Sequence, residues 1–373
     1  MKRRYKVLGT ICVLWAVVTA SLAAVLSHDS PCGSADPLPP NTVTMKAIVY
    51  RCYGTVDVLK LEDIAKPMPA DDRVLVRVHA ASVNPLDWHY MRGKPYFARA
   101  MMGVGSPDSI HMGADFAGTV ESVGKNVRRF KPGDDVFGDR DGAFGEYVSV
   151  AENGAVAHKP SNATMEQAAA VPVAAITALQ ALQALRDKGR LQAGQSLLVN
   201  GASGGVGTFA VQIAKAYGAR VTAVTSARNV QLVHSLGADW VIDYAHQDFT
   251  QSVDRYDMIL DCVGNHPLTA IRNALKPGGV AVLIGGGGPD AAQWGPLFSG
   301  PILAILLSPF VSETLIFMLS NDNKDDLAVL GQMMQAGKLT SVIDRRYTLA
   351  ETAAAIQYVE QGHVRGKVVI TVD

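Results

Sequence analysis

The sequence predicts an α/β protein, a β-rich unit followed by a parallel-sheet domain, with a separate apolar helix at the N-terminus. Three observations predict it. Short alternating segments punctuated by Gly, Pro and Asp run from Met45 to about residue 160. A strand–loop–helix alternation takes over after Thr164. Before both lies Val7–Leu26, an uncharged run of 20 residues. At 373 residues the chain exceeds one typical domain. Its 34 Lys+Arg balance 34 Asp+Glu, which leaves no basic footprint for nucleic acid. Hydrophobic residues are 48% and charged residues 18%, so a large core is available and wholesale disorder is excluded. Cys12, Cys32, Cys52 and Cys262 are scattered without a C-x-x-C pair. That spacing predicts neither a disulfide framework nor a cysteine zinc cluster.

Residues 1–27 read as a membrane anchor or signal. A run of 20 residues spans about 30 Å as a helix, the thickness of a bilayer core. It is longer than a usual signal-peptide apolar region, and LAAVLSHDS is a poor cleavage site. Four cations precede it and none follows before Lys46. The positive-inside rule then places the remainder outside the cytoplasm. Residues 28–44, rich in Pro, Ser and Asp, read as a linker. Translation from Met45 is the alternative, and it would give a cytoplasmic protein.

MKAIVY and Arg73–Ser82 alternate as half-buried strands do. Phe116–Gly124, Lys131–Gly138 and Gly145–Val150 continue a barrel or sandwich. MEQAAAVPVAAITALQAL is helical in composition. Strands are then expected at Ser196–Asn200, Arg220–Val224, Trp240–Ile242, Met258–Asp261 and Val280–Ile284. A helix at Leu349–Gln361 and a last strand at Lys367–Val372 close the chain. Leu297–Leu319 carries 15 apolar residues in 23, broken by Pro301, Pro309 and Glu313. It reads as an apolar cleft wall, a subunit contact or a membrane-resting face rather than a spanning helix.

The most informative motif follows Leu197-Leu198-Val199: Gly201, Ala202, Ser203, Gly204, Gly205, Val206 and Gly207, with an amphipathic helix opening at once. Glycines permit the tight turn and close backbone approach to a pyrophosphate, and the helix N-terminus offers it positive partial charge. A dinucleotide is therefore expected. An NAD site places an acid about 20 residues on for the ribose 2′-hydroxyl. Here no Asp or Glu lies between Gly207 and Asp239. Ser226 and Arg228 stand at that strand end instead and suit a 2′-phosphate, so NADP(H) is the expected cofactor.

GADFAGTVESVGKNVRRFKPGDDVFG, GASGGVG, LGADWVIDY and the closing RGKVVI together resemble the medium-chain dehydrogenase/reductase superfamily over nearly all of residues 45–373. Within it the chain resembles the quinone oxidoreductase branch. The resemblance implies a GroES-like catalytic domain (45–165), a Rossmann NADP(H)-binding domain (166–310) and a C-terminal return to the catalytic domain (311–373). It also adds Tyr244, with Ser226 and Arg228, to the 2′-phosphate pocket.

Zinc members of that superfamily carry a cysteine in C-x-x-D and a histidine in G-H-E. This chain has Asn84-Pro85-Leu86-Asp87 and Gly113-Ala114-Asp115. No cysteine for a structural zinc lobe lies between Cys52 and Cys262, so no metal is expected. Hydride transfer without metal needs geometry, plus a group to stabilise or protonate the product oxygen. The family places the substrate-facing loop at Val83–Gly93. There Asn84 is a candidate for positioning nicotinamide or a carbonyl, and His89 or Tyr90 for donating a proton. Asp87 and Asp115 read as structural.

The expected function is NADPH-dependent, zinc-independent reduction of a quinone or an α,β-unsaturated carbonyl, with a small lipophilic substrate. Membrane attachment through residues 7–26 and a homodimer are the expected associations; the face of the membrane is left open, because the cation asymmetry points outside while an NADPH-dependent enzyme needs a cytoplasmic cofactor pool. The alternatives are an NAD(P)-dependent alcohol/carbonyl oxidoreductase, or a membrane-tethered NADPH-binding protein without turnover.

Overall fold

The computed structural model describes Trp15 and residues 17–35, 37–187, 191–285 and 312–372. Fifteen strands are described, and most of them form two sheets. A short hairpin pairs β1 (Thr44–Val49) with β2 (Lys60–Ala65). The long strand β3 (Arg73–Val83) is the spine of a seven-stranded sheet. It pairs antiparallel with β4 (Asp115–Val123), with β6 (Tyr147–Ala151) and with the C-terminal β15 (Lys367–Thr371). The sheet is completed by β5 (Asp135–Asp139), β7 (Val156–His158) and β14 (Ile343–Thr348). Valines alternate into a shared core with Phe116, Phe144 and Met91, the period-2 burial that the sequence pattern anticipates. The unit is not purely β. Helix Pro85–Arg92 opens on an Asn84–Asp87 capping box with proline at its first position, a strong local start signal.

The second sheet is six-stranded and parallel, in the order β10-β9-β8-β11-β12-β13. Its strands are β8 (Ser196–Asn200), β9 (Arg220–Thr225), β10 (Trp240–Asp243), β11 (Tyr256–Asp261), β12 (Leu275–Leu283) and β13 (Thr314–Phe317). Numbered within the sheet this is 3-2-1-4-5-6, the doubly wound order whose switch point lies between the first and fourth strands. Helices Pro172–Asp187 and Gly205–Ala216 pack along each other, and their Ala-rich faces sit with Val199, Phe209 and Leu260 in one core.

Several expectations need correcting. Cys32 and Cys52 form a disulfide with Cα atoms 4.6 Å apart, within the usual bridging range. A spacing of 20 residues in sequence hides a juxtaposition made by tertiary structure. The presumed linker is docked from its start, because Ser30 N–H donates to the Gly105 carbonyl at 2.8 Å. Strand Thr314–Phe317 pairs with β12, so the parallel sheet reaches past the expected division at 310/311. That strand also lies inside Leu297–Leu319, which the sequence reads as an apolar wall or contact face; the part of that stretch through residue 311 falls outside the described residues. Much of the expected anchor does too. Residues 17–27 are helical, and among the described residues no helix is long and apolar enough to cross a membrane.

Candidate active site

The glycine loop leaves the C-terminal end of β8 and enters helix Gly205–Ala216 with Gly204 as its N-cap. Gly201 has φ +81°, and a Cβ there would meet Val263 Cγ2 at 2.7 Å. A Cβ on Gly207 would lie 2.2 Å from the Gly201 carbonyl oxygen, so helix and loop touch backbone to backbone. The first-turn N–H groups have no partner within the helix and sit at the sheet's switch point, a place and polarity that could hold an anionic group of a cofactor. Ala202 is buried and its N–H donates to the Val224 carbonyl at 3.0 Å. The Ser203 hydroxyl accepts from Thr225 Oγ1 at 2.7 Å and Asn229 Nδ2 at 3.0 Å. Val206 packs partly buried on the core below. At the end of β8 itself Asn200 Nδ2 donates to Asp261 Oδ1, at the end of the neighbouring β11, and to Asn265 Oδ1, each at 2.9 Å.

Ser226 and Arg228 lie just beyond β9, with Tyr244 just beyond β10. Tyr244 N–H donates to the Thr225 carbonyl at 3.1 Å, which brings it to the end of β9. Arg228 Nη2 donates to the His363 carbonyl at 2.8 Å, so its guanidinium is engaged by the C-terminal turn. One acid does come near: Asp243 pairs in register with Thr225. Its carboxylate already accepts from Ala245 N–H at 3.1 Å.

Facing the glycine loop is a buried polar network that crosses both ends of the chain. Lys367, the first residue of β15, is 2% exposed and Asp115 is fully buried. Lys367 Nζ donates to Asp115 Oδ2 at 3.1 Å and to Asn84 Oδ1. Asn84 Nδ2 donates to Asp115 Oδ2 at 2.9 Å, and Ser82 Oγ to the same oxygen at 2.7 Å. The other carboxylate oxygen accepts from Val173 N–H at 2.9 Å. An ammonium only donates and a carboxylate only accepts, so these partners fix which way the Asn84 amide points. Lys367 also reaches the glycine loop. A Cβ on Gly205 would lie 3.3 Å from its Cδ, and Gly366 N–H donates to the Ser203 carbonyl at 2.8 Å.

Next to this network lie three acids whose carboxyl pKa values are raised above the ordinary range. Asp139 stands opposite Asp115 across β4 and β5. Burial first, then the neighbouring carboxylates of Asp115, Asp322 and Asp87, push its pKa up to about 8. Burial raises Asp87 to about 7 and Asp322 to about 6. Asp322 Oδ1 is a buried oxygen without a hydrogen-bond partner. Tyr90 is 38% exposed. Burial raises its phenol pKa, and Asp141, Asp139, Asp87 and Asp322 add to the effect. It therefore stays protonated on the side of these acids.

His89 is placed differently. Its ring stacks on Trp88 at 3.6 Å and its Nδ1 meets the Lys94 carbonyl at 2.8 Å. That carbonyl requires the proton on Nδ1, and burial lowers the imidazole pKa. The neutral ring then offers Nε2 as an acceptor, which argues against the proton-donor expectation for His89.

Sequence reading missed Lys367 and Asp139. In the sequence Lys367 stands only within RGKVVI, and its partner Asn84 is 283 positions away. The pairing of Asp139 with Asp115 needs the sheet register. Neither has a local signal. Among the described residues no group of three or more His, Cys, Asp and Glu is placed to hold a metal.

Comparison with known proteins agrees with this geometry. Residues 70–161 match the alcohol dehydrogenase GroES-like domain, and residues 236–370 match a family described as zinc-binding dehydrogenase. A 2-methylene-furan-3-one reductase of Solanum lycopersicum is 34% identical over 341 residues, covering 87% of this chain and 79% of its own. A mitochondrial NAD(P)H oxidoreductase of Mus musculus is 35% identical over 364 residues, covering 89% and 90%. Among solved structures, the quinone oxidoreductase from Coxiella burnetii superposes with TM-score 0.76 at 29% identity, over 89% of this chain and all of its own. With Asn84 and Ala114 where zinc members place ligands, the chain belongs to the medium-chain dehydrogenase/reductase superfamily, in its zinc-independent quinone oxidoreductase-like branch.

Proposed function

We propose that the chain is an NADPH-dependent, zinc-independent reductase of a quinone or an α,β-unsaturated carbonyl. The observation that carries this reading is the contact between the glycine loop and the Lys367–Asn84–Asp115 network. It joins a dinucleotide cradle to a polar pocket wall built without metal ligands. Relatives named NADPH-dependent alkenal/one oxidoreductase and quinone oxidoreductase support the same class.

Bound NADPH supplies a hydride to an electron-poor centre of the acceptor. The rest falls to side chains of this chain. Residues 201–207 would hold the pyrophosphate, and Ser226, Arg228 and Tyr244 would supply the polar groups for the 2′-phosphate, with Arg228 having to release the His363 carbonyl to reach it. Asn84 is a positioning residue whose amide is set by Lys367 and Asp115. Tyr90, protonated and beside the cleft acids, donates the proton to the product oxygen. His89 orients the turn at Lys94. The order of catalytic, NADP(H)-binding and returning C-terminal segments is kept as the domain plan, with the second boundary moved beyond Phe317 because Thr314–Phe317 is the sixth strand of the parallel sheet. A homodimer would use the outer strand Thr314–Phe317, which has a free edge among the described residues.

Residues 7–26 are proposed as a membrane anchor. The described part of that helix exposes Trp15, Val17, Val18, Leu22 and Val25, an apolar surface that water does not favour. A lipophilic acceptor fits such a location.

The test is NADPH oxidation by purified full-length protein against a panel of quinones and enals, with a chelator present. Turnover with at least one class is expected. Cofactor binding without oxidation across the panel would instead favour a non-catalytic binding protein.

A further inference from the structure

Residues 26–32, which sequence composition assigns to a helix end and a free tether, are held at several points. The centre of the attachment is Arg99, 1% exposed, in the segment after helix Pro85–Arg92. Its Nη1 donates to the Leu26 carbonyl at 3.2 Å and the His28 carbonyl at 2.8 Å. Its Nη2 pairs with Asp29 at 2.8 Å, and its Nε donates to the Gly93 carbonyl at 2.8 Å. The rings of Tyr53 and Tyr96 cover the guanidinium, with centroids 4.3 and 4.7 Å from Cζ. Tyr53 OH donates to the Gly103 carbonyl at 2.8 Å, and Ser30 N–H reaches the Gly105 carbonyl. Cys52, directly before Tyr53, carries the disulfide to Cys32.

A buried guanidinium is costly unless it is paired and hydrogen-bonded. Here two of its four backbone and carboxylate contacts come from chain carbonyls of residues 26 and 28, and a third from Asp29. Arg99 is therefore satisfied only when the N-terminal segment is docked. The docked segment in turn brings Cys32 against Cys52.

We propose that residues 26–32 are a built-in part of the catalytic domain, sealed by a Cys32–Cys52 disulfide formed in an oxidising compartment outside the cytoplasm. In the sealing step the two thiols lose two protons and two electrons to the disulfide of a thiol–disulfide oxidoreductase, which leaves as a dithiol, and one S–S bond forms between Cys32 and Cys52. Cytosolic thiols would run the exchange in reverse. The four cations before residue 7 orient the chain the same way. The seal bears on the site because Gly93 caps the helix that carries His89 and Tyr90, and Arg99 holds the Gly93 carbonyl.

Full-length protein in intact cells is acid-quenched and its free thiols blocked with N-ethylmaleimide; after reduction, newly exposed thiols receive a mass tag located by peptide mapping. The tag is expected on Cys32 and Cys52 in most copies. Blocking of both by N-ethylmaleimide before reduction would overturn the proposal. Limited proteolysis of purified protein supplies a second readout. Dithiothreitol, Cys32→Ser with Cys52→Ser, or Arg99→Met should each speed cleavage within residues 28–36, roughly tenfold if local opening governs it. Unchanged cleavage with dithiothreitol, which needs no refolding of a variant, would count against the seal. A third arm rests on the reductase reading: reduction should raise KM for a lipophilic acceptor while kcat is retained. If no turnover is found at all, the reductase reading fails while the thiol and proteolysis readouts still decide this one.

Discussion

The two halves of the candidate site are built on opposite principles. The glycine loop at residues 201–207 works through main chain, and its specificity comes from side chains that are absent. The wall opposite it, Ser82, Asn84, Asp115 and Lys367, works through buried side chains drawn from three strands and a helix cap. Backbone cradles tolerate change in their surroundings but not an added Cβ: at Gly207 it would meet a carbonyl at 2.2 Å. A side-chain network tolerates backbone shifts poorly and fails when one charge loses its partner. One half should therefore be sensitive to bulk, and the other to charge.

The largest test of that contrast is Lys367→Met. It leaves the fully buried Asp115 without its cation, and breaking a buried pair this way costs about 3–5 kcal/mol. Denaturant unfolding should show that loss, and Lys367→Arg should recover part of it.

Next comes pH. Asp139 has its folded pKa pushed up to about 8 from the ordinary carboxylate value of 3.8. Between those values the native state holds a proton that the unfolded state has released, so stability falls as pH rises. The slope from this group is about 1.4 kcal/mol per pH unit. The contribution is intact below pH 4 and lost through pH 8. Asp139→Asn should flatten the decline, measured as unfolding free energy from pH 5 to 8. An unchanged slope would mean that Asp139 titrates normally.

Tyr90→Phe should lower kcat on the order of 100-fold if the phenol donates the proton, the lower end for general acid catalysis. Because Tyr90 is partly exposed, its unfolding midpoint should hardly move. An effect of similar or smaller size, on cofactor binding rather than turnover, is expected at Arg228. Arg228→Ala should weaken NADPH binding by about 1.5–3 kcal/mol, the scale of a charged hydrogen bond, and leave NADH nearly unchanged. Equal losses would mean that Arg228 serves the His363 turn instead.

The same contrast explains what the sequence discloses. Gly201 to Gly207 are contiguous and follow an apolar strand, so the parallel sheet and its cradle are legible from local pattern. Asn84 is legible too, as a cap before Pro85, but its partner Lys367 lies at the other end of the chain and meets it only because β15 pairs with β3. Cys32 and Cys52 escape notice for a related reason. Their approach depends on Arg99 drawing residues 26–29 down, and one buried arginine gives no periodic signal. The strand Thr314–Phe317 sits in an apolar stretch whose prolines suggest irregularity. Only pairing with β12 identifies it.

The two halves meet so that hydride passes directly from the dinucleotide to the acceptor without a metal. This transfer is tested most directly by supplying NADPH deuterated at the transferable C4 position, with an enal as acceptor and a chelator present, and locating the label in the product. Deuterium is expected on the carbon β to the carbonyl, at a rate the chelator leaves unchanged. Product without deuterium, or turnover abolished by the chelator and restored by zinc, would contradict it.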